Sequence, residues 1–138
     1  MEKIWLKHYP LGVPETIDAN PLGTLVDALL TSCSEHASAV AFKSEFGSLT
    51  YAELETKSLA FACFLQQEWG LKKGMRFGIM LPNVLAYPIA MLGALRAGLC
   101  VVNINPLYTQ RELVQELTDA GCQHVLVLDM FAHTVAAS

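Results

Sequence analysis

Apolar positions along the chain follow two spacings in turn, one typical of amphipathic helices and one typical of short buried strands. A Thr with an acidic residue three positions later marks three helix starts, because the hydroxyl and the carboxylate together satisfy free backbone N–H groups. These starts predict helices over residues 24–36, 50–70 and 109–121. The last two end at Gly, the residue type best suited to the left-handed turn that closes a helix.

Short and almost continuously apolar runs lie between these helices and are followed by Pro, Asn or Asp. Their length and flanking Gly and Pro favour buried strands over buried helix. The runs predict strands over residues 75–81, 99–104 and 124–128, and a small hairpin from residues 39–42 and 48–49.

The helix between the first two of these strands contains a Pro near its start. Pro88 has no N–H to bond the carbonyl of Val84, and it disfavours helical geometry at Tyr87. Because Pro is tolerated in the first turn, we expect an irregular start after Asn83 and regular helix from about Pro88 to the Gly98 stop.

Strands that alternate with helices predict a parallel sheet joined by right-handed crossovers. We therefore expect a doubly wound α/β fold with at least three parallel strands. Residues 1–20 carry Pro and Gly without regular periodicity and predict an extended N-terminal arm, whereas residues 21–138 form the α/β portion. A last helix begins after Asp129 and is expected to be cut off at Ser138.

The composition indicates part of a larger protein. The 138 residues are 53% hydrophobic and 16% charged, against about 25% charged residues in ordinary soluble domains. The longest uncharged apolar stretch, residues 84–95, is shorter than the roughly 20 residues that cross a bilayer, and no secretory leader pattern is present. We therefore predict a cytoplasmic protein whose apolar surfaces other parts of a longer chain would cover.

Charge and cysteine usage exclude several classes of site. The net charge of −4 and the lack of a basic stripe argue against nucleic-acid binding. The chain has four cysteines, none in C-x-x-C spacing: Cys33, Cys63, Cys100 and Cys122. We expect them to be small buried hydrophobic residues in a reducing compartment and not zinc ligands. Four scattered histidines lack any i, i+4 pair, and we expect no metal or catalytic role for them: His8, His36, His124 and His133.

Open parallel sheets bind ligands at the carboxyl ends of their strands. Those ends carry Asn83, Asn105 and Asp129, which can orient a ligand but are also the residue types that cap helices and form turns. We favour the second role, with Asp129 as the N-cap of the last helix. No G-x-G-x-x-G, P-loop or G-x-S-x-G motif is present. The sequence therefore predicts no catalytic, cofactor-binding or metal-binding residue in this chain.

Two blocks of the chain resemble a known family. Residues 49–54, Leu-Thr-Tyr-Ala-Glu-Leu, resemble the first core motif of adenylate-forming enzymes, and residues 95–106 resemble the second. Residues 81–88 and 105–113 are similar to the bacterial long-chain fatty-acid–CoA ligases in particular. The similarity extends along nearly the whole chain, from the Trp5 segment onward.

The resemblance implies a parent enzyme that uses ATP and Mg²⁺ to convert a fatty acid to an acyl-adenylate, which coenzyme A then converts to acyl-CoA. In that family the chemistry depends on a Ser/Thr/Gly-rich phosphate loop, on downstream acidic residues and on a Lys in a mobile C-terminal domain. None of these motifs occurs in this sequence. We therefore expect residues 1–138 to be an inactive structural portion without a bound cofactor.

Two alternatives remain open. One is a self-contained flavodoxin-like binding or regulatory module that uses Asn83, Asn105 and Asp129. The other is an adenylate-forming ligase for a medium-chain or aryl acid. An uncovered sheet edge and apolar face predict self-association. For the apolar residues 4–6, flanked by two lysines, docking on protein is favoured over peripheral contact with the inner face of the membrane.

Overall fold

A computed structural model describes residues 3–17 and 23–136 of the chain. Its regular elements follow the predicted order of a hairpin and alternating helices and strands. They are α1 (Leu25–Glu35), β1 (Val40–Ser44), β2 (Gly47–Thr50), α2 (Tyr51–Gln67), β3 (Arg76–Met80), α3 (Ala86–Arg96), β4 (Cys100–Asn103), α4 (Gln110–Ala120), β5 (His124–Val127) and α5 (Ala132–Ala136), with 3-10 helices at Ile4–His8 and Asp129–Phe131.

The central strand of the sheet is β3, which pairs in parallel with β4 on one side and β5 on the other. Phe77 of β3 lies opposite Val101 of β4 and His124 of β5. Helices α2 and α3 cover one face of this sheet, and α4 and α5 cover the other. The prediction of a doubly wound α/β fold with at least three parallel strands is therefore confirmed.

One face of the sheet packs against α2 and α3. Phe77 and Ile79 point to this side and are almost completely buried, together with Leu65 of α2 and Ala94 of α3. Leu71, in the segment between α2 and β3, joins the same cluster. Burial of side chains of this size is the main source of stability for the layer.

The opposite face of the sheet packs against α4 and α5. Met80 of β3 and Leu113 of α4 are fully buried here, with Ile104 beside them. Gly78 occupies the middle of β3, where an added Cβ would lie 2.9 Å from Ile104 Cδ1 and 3.1 Å from Val125 Cγ2. The missing side chain at Gly78 therefore allows these neighbours to close over the central strand.

The hairpin and α1 form a smaller core beside the sheet. Cys33 of α1, Leu49 of β2, Leu54 of α2 and Leu92 of α3 are buried in one cluster. In this way the antiparallel pair β1–β2 is fixed against the same two helices that cover the sheet.

Helices α2 and α3 approach closely where Gly93 of α3 meets α2. An added Cβ at Gly93 would lie 2.9 Å from the carbonyl oxygen of Ser58. At the end of α3, Arg96 Nη1 donates to the Glu55 carbonyl oxygen (3.0 Å) and to Ser58 Oγ (3.1 Å). Small residues and a polar clamp therefore hold the two helices together.

The start of α3 follows the prediction, because residues 83–85 are irregular and Pro88 lies in the first turn of a helix that begins at Ala86. The Val84 carbonyl accepts a hydrogen bond from Tyr87 N (3.0 Å). Two other predicted details were wrong. Asp129 is the first residue of a 3-10 helix and not an N-cap. Cys100 is exposed, since it opens an edge strand; all four cysteines are free.

Other predictions lie partly outside the described residues. Within the predicted arm, residues 3–17 contain the 3-10 helix Ile4–His8, and Lys3 Nζ pairs with Glu15 Oε1 at 3.0 Å. Residues 18–22 lie outside the described residues, so the boundary at residue 20 between the arm and the α/β portion stays a prediction. Residues 137–138, where the last helix was expected to be cut off, also lie outside them. No helix among the described residues is long and apolar enough to cross a membrane.

Candidate functional site at the carboxyl edge of the sheet

The residues that follow the three parallel strands lie at one edge of the sheet. Asn83 follows β3, Asn105 follows β4, and Asp129 follows β5. Because β4 and β5 flank β3 in parallel, the predicted edge is confirmed as a shared location. This edge is the ordinary ligand-binding position of open α/β sheets.

Two of these three side chains are used in local turns. Asn105 Oδ1 accepts a hydrogen bond from Leu107 N at 3.0 Å. Asp129 Oδ1 accepts one from Met130 N at 2.7 Å. These contacts are typical of turn-forming Asn and Asp, so both side chains take part in local turns.

A third polar contact at this edge was missed by the sequence analysis. The Tyr87 hydroxyl on α3 donates to Asn103 Oδ1 at the end of β4, at 2.9 Å. It ties the start of α3 to the neighbouring strand. The only available signal was Asn at the end of an apolar strand, which does not identify a partner 16 residues away.

The helix starts at this edge differ in how they are capped. Thr109 Oγ1 accepts from Glu112 N (3.4 Å), while Glu112 Oε2 accepts from Thr109 N (2.8 Å), as predicted. Hydrogen bonds from the backbone and hydroxyl of Thr109 lower the pKa of Glu112. By contrast, the start of α3 at Leu85 has no side-chain cap and no acidic residue in its first turn.

An apolar groove opens between the hairpin and the start of α3. It has a volume of about 190 Å³. Its lining residues are Phe42, Lys43, Ser44, Asn83, Val84, Leu85, Tyr87 and Pro88. Asn83 therefore lines a concavity at this edge of the sheet.

The described residues contain few groups able to perform acid–base or nucleophilic chemistry in a cavity. Burial raises the pKa of the Cys33 and Cys122 thiols, which makes both poor nucleophiles. His36 packs near Tyr51, and His124 packs near Trp69 with its Nδ1 buried and unpartnered. In residues 3–17 and 23–136, no three His, Cys, Asp or Glu side chains are grouped to hold a metal ion.

Comparison with known proteins supports the resemblance found in residues 49–54 and 95–106. Residues 29–138 match the model of the family described as AMP-binding enzyme. The chain is 46% identical over 135 residues to the long-chain-fatty-acid–CoA ligase of Yersinia pestis, covering 98% of this chain and 24% of that protein. The ligase of the same name from Escherichia coli O157:H7 gives the same identity and coverage.

Among solved structures, the benzoate CoA ligase from Burkholderia xenovorans LB400 is similar, with a TM-score of 0.75 and 30% identity. The match covers 80% of this chain and 22% of that one. The chain thus spans about a quarter of the length of the curated relatives named above. Its motifs, its doubly wound sheet and the match over residues 29–138 together show that the chain belongs to the family of AMP-binding enzymes.

Proposed function

We propose that the chain is the N-terminal segment of a long-chain-fatty-acid–CoA ligase. The observation that carries this proposal is the 46% identity that extends over 98% of the chain. Membership of the AMP-binding family disfavours the flavodoxin-like module as the alternative, since that module would be complete in itself.

The proposed reaction of the whole protein has two steps. An oxygen of the fatty-acid carboxylate attacks the α-phosphorus of ATP, so that pyrophosphate leaves and an acyl-adenylate forms. The sulfur of coenzyme A then attacks the acyl carbon, AMP leaves, and the thiol proton is released. A Mg²⁺ ion bound to the ATP phosphates would neutralise charge in the first step.

The contribution of this chain to the reaction is structural in our proposal. The capped helix α4 and the turns at Asn105 and Asp129 lie at the carboxyl edge of the sheet, where these polar groups bond to local backbone. Cys33 and Cys122 are buried, and no three His, Cys, Asp or Glu side chains are grouped among the described residues, which supports a structural role. We therefore propose that residues 1–138 alone do not form the acyl-adenylate.

Fatty-acid-dependent exchange of pyrophosphate into ATP tests this proposal. The complete reading frame and residues 1–138 are assayed side by side at equal concentration. We expect exchange from the complete protein only. Exchange at comparable rates from residues 1–138 would contradict the structural role, and none from the complete protein with any carboxylic acid would overturn the ligase assignment.

The acid that the whole protein activates is proposed from its relatives. The sequence relatives are named for long-chain fatty acids, whereas the structural relative at 30% identity is named for benzoate. We favour a long-chain acid, because the sequence identity to the first group is higher. Exchange that is faster with benzoate or octanoate than with palmitate would favour the aryl or medium-chain alternative.

Self-association is the second part of the proposal. Strands β4 and β5 are the two edges of the three-stranded sheet, and each has unpaired backbone groups on its outer side. Large apolar side chains are also exposed in the arm, among them Ile4, Trp5, Leu11 and Ile17. We expect residues 1–138 to form dimers or larger species; a concentration-independent monomer in sedimentation velocity would contradict this.

The arm of a cytoplasmic protein could dock on protein or on the inner face of the membrane. We propose protein, because Lys3 already pairs with Glu15, which weakens the attraction of the two flanking lysines for anionic lipid. Flotation with vesicles that contain phosphatidylglycerol would detect the alternative. Loss of flotation on substitution of Trp5 would assign such binding to the arm.

A further inference from the structure

The groove between the hairpin and α3 lies beside a second concavity. Phe42 and Pro88 line both spaces. The second space has a volume of about 110 Å³ and is lined by Leu29, Cys33, Ala41, Phe42, Tyr51, Leu54, Pro88, Met91 and Leu92. The two spaces are therefore neighbours that share a wall, in which Phe42 is itself half-exposed.

The groove has polar donors at its rim. Lys43 and Asn83 are among the residues that line the groove, and neither side chain has a hydrogen bond or ion pair to a described residue. Ser44 Oγ is occupied, since it accepts from Phe46 N at 3.2 Å. None of the lining residues is acidic. The rim therefore favours an anion, whereas the floor favours hydrocarbon.

We propose that this groove binds a fatty-acid anion. The carboxylate lies at Lys43 and Asn83, and the first methylenes lie on Val84, Leu85 and Pro88. An apolar cavity of about 150 Å³ holds a benzene molecule, so the groove accommodates a segment of about six carbons. A longer chain continues past Phe42 into the second space.

The choice of a fatty acid over other amphipathic anions rests on the proposed function, whereas the groove itself does not. Charge complementarity between one carboxylate and one unpaired ammonium determines the orientation of the ligand. Because the ammonium is exposed, its contribution is that of a surface ion pair, and most of the binding comes from methylenes removed from water.

NMR titration of residues 1–138, labelled at the Leu and Val methyl groups, tests the proposal without ATP or turnover. The probe is dodecanoate below its critical micelle concentration, with dodecanol as the uncharged counterpart. We expect shifts of the Val84 and Leu85 methyls and none at Leu113 on the opposite side of the sheet. Shifts spread over all exposed methyls, or confined elsewhere, would overturn the site.

Two charge-reversal variants separate the rim from non-specific charge effects. Lys43→Glu is expected to raise the dissociation constant for dodecanoate about fivefold, while leaving dodecanol unchanged. Lys72→Glu carries the same charge change in the exposed segment that precedes β3, outside the groove, and is expected to have no effect. Equal weakening by both variants would overturn the role of Lys43. Exchange activity of the complete protein without groove binding would leave the ligase assignment standing and reject the groove.

Discussion

Replacement of Gly93 by Ala provides a sharp test of the packing between α2 and α3. Gly93 is buried in the middle of α3. An added Cβ would lie 2.9 Å from the Ser58 carbonyl oxygen, 2.9 Å from Phe61 Cδ1 and 3.2 Å from Phe61 Cβ. The Ser58 carbonyl belongs to the α2 backbone and cannot rotate away, so the two helices must separate.

Two opposing effects determine the sign of the stability change. In an isolated helix, Gly→Ala is favourable by about 1 kcal/mol, because Gly loses more backbone entropy on folding. Insertion of an extra methyl into a packed interface costs about 1–3 kcal/mol. Since the contact involves backbone on one side and the base of an aromatic side chain on the other, we place the cost near 2 kcal/mol. The net result is destabilisation by about 1 kcal/mol.

Urea unfolding followed by far-UV circular dichroism measures this difference. With a typical slope of about 2 kcal/mol per molar urea, Gly93→Ala should lower the midpoint by about 0.5 M. Ala60→Gly, at an exposed position of α2, is the control that measures the helix-propensity term in this chain. If Gly93→Ala instead raises the midpoint by as much as Ala60→Gly lowers it, the close approach of the helices is refuted.

Two further variants test the polar clamp and the cap. Arg96→Met removes the hydrogen bonds to the Glu55 carbonyl and Ser58 Oγ, and it should lower the free energy of unfolding by about 1–2 kcal/mol. Arg76 is exposed, and the control Arg76→Met should change the free energy of unfolding by less than about 0.5 kcal/mol. Equal effects of the two variants would refute the clamp. The pKa of Glu112 is lowered in the folded state from its ordinary value of 4.5, so its stabilising effect is present above pH 4.5 and is lost as the pH falls through the folded pKa. Glu112→Gln should therefore flatten the decline of Tm below about pH 4.5, and an unchanged decline would contradict the cap.

Elements whose signals are local could be predicted from the sequence. The capping boxes at Thr50 and Thr109 join residues only three positions apart, and both form as expected. The left-handed residue after α4 is Gly121, also as expected. At the start of α3 the position of Pro88 in the first turn could be predicted, whereas the hydrogen bond from Tyr87 N to the Val84 carbonyl could not. The rule for Pro88 excluded one hydrogen bond without indicating its replacement.

The candidate site was predictable in position but not in shape. Parallel strands require Asn83, Asn105 and Asp129 to meet at one edge. The groove, however, depends on how β1 packs against the start of α3, and sequence spacing contains no information about that packing. No sequence pattern therefore indicated a role for Lys43, although it lines the same groove as Asn83.

The motifs that identify the family have structural roles in this chain. In residues 49–54, Leu49 and Leu54 are buried, and Thr50 and Glu53 form a cap. In residues 95–106, Arg96 clamps α2 and Asn103 accepts from Tyr87. Substitutions in these motifs should therefore first change stability, and only through it the activity of the complete protein. Loss of exchange activity in a motif variant that unfolds at the wild-type urea midpoint would show that a motif residue acts directly in the reaction.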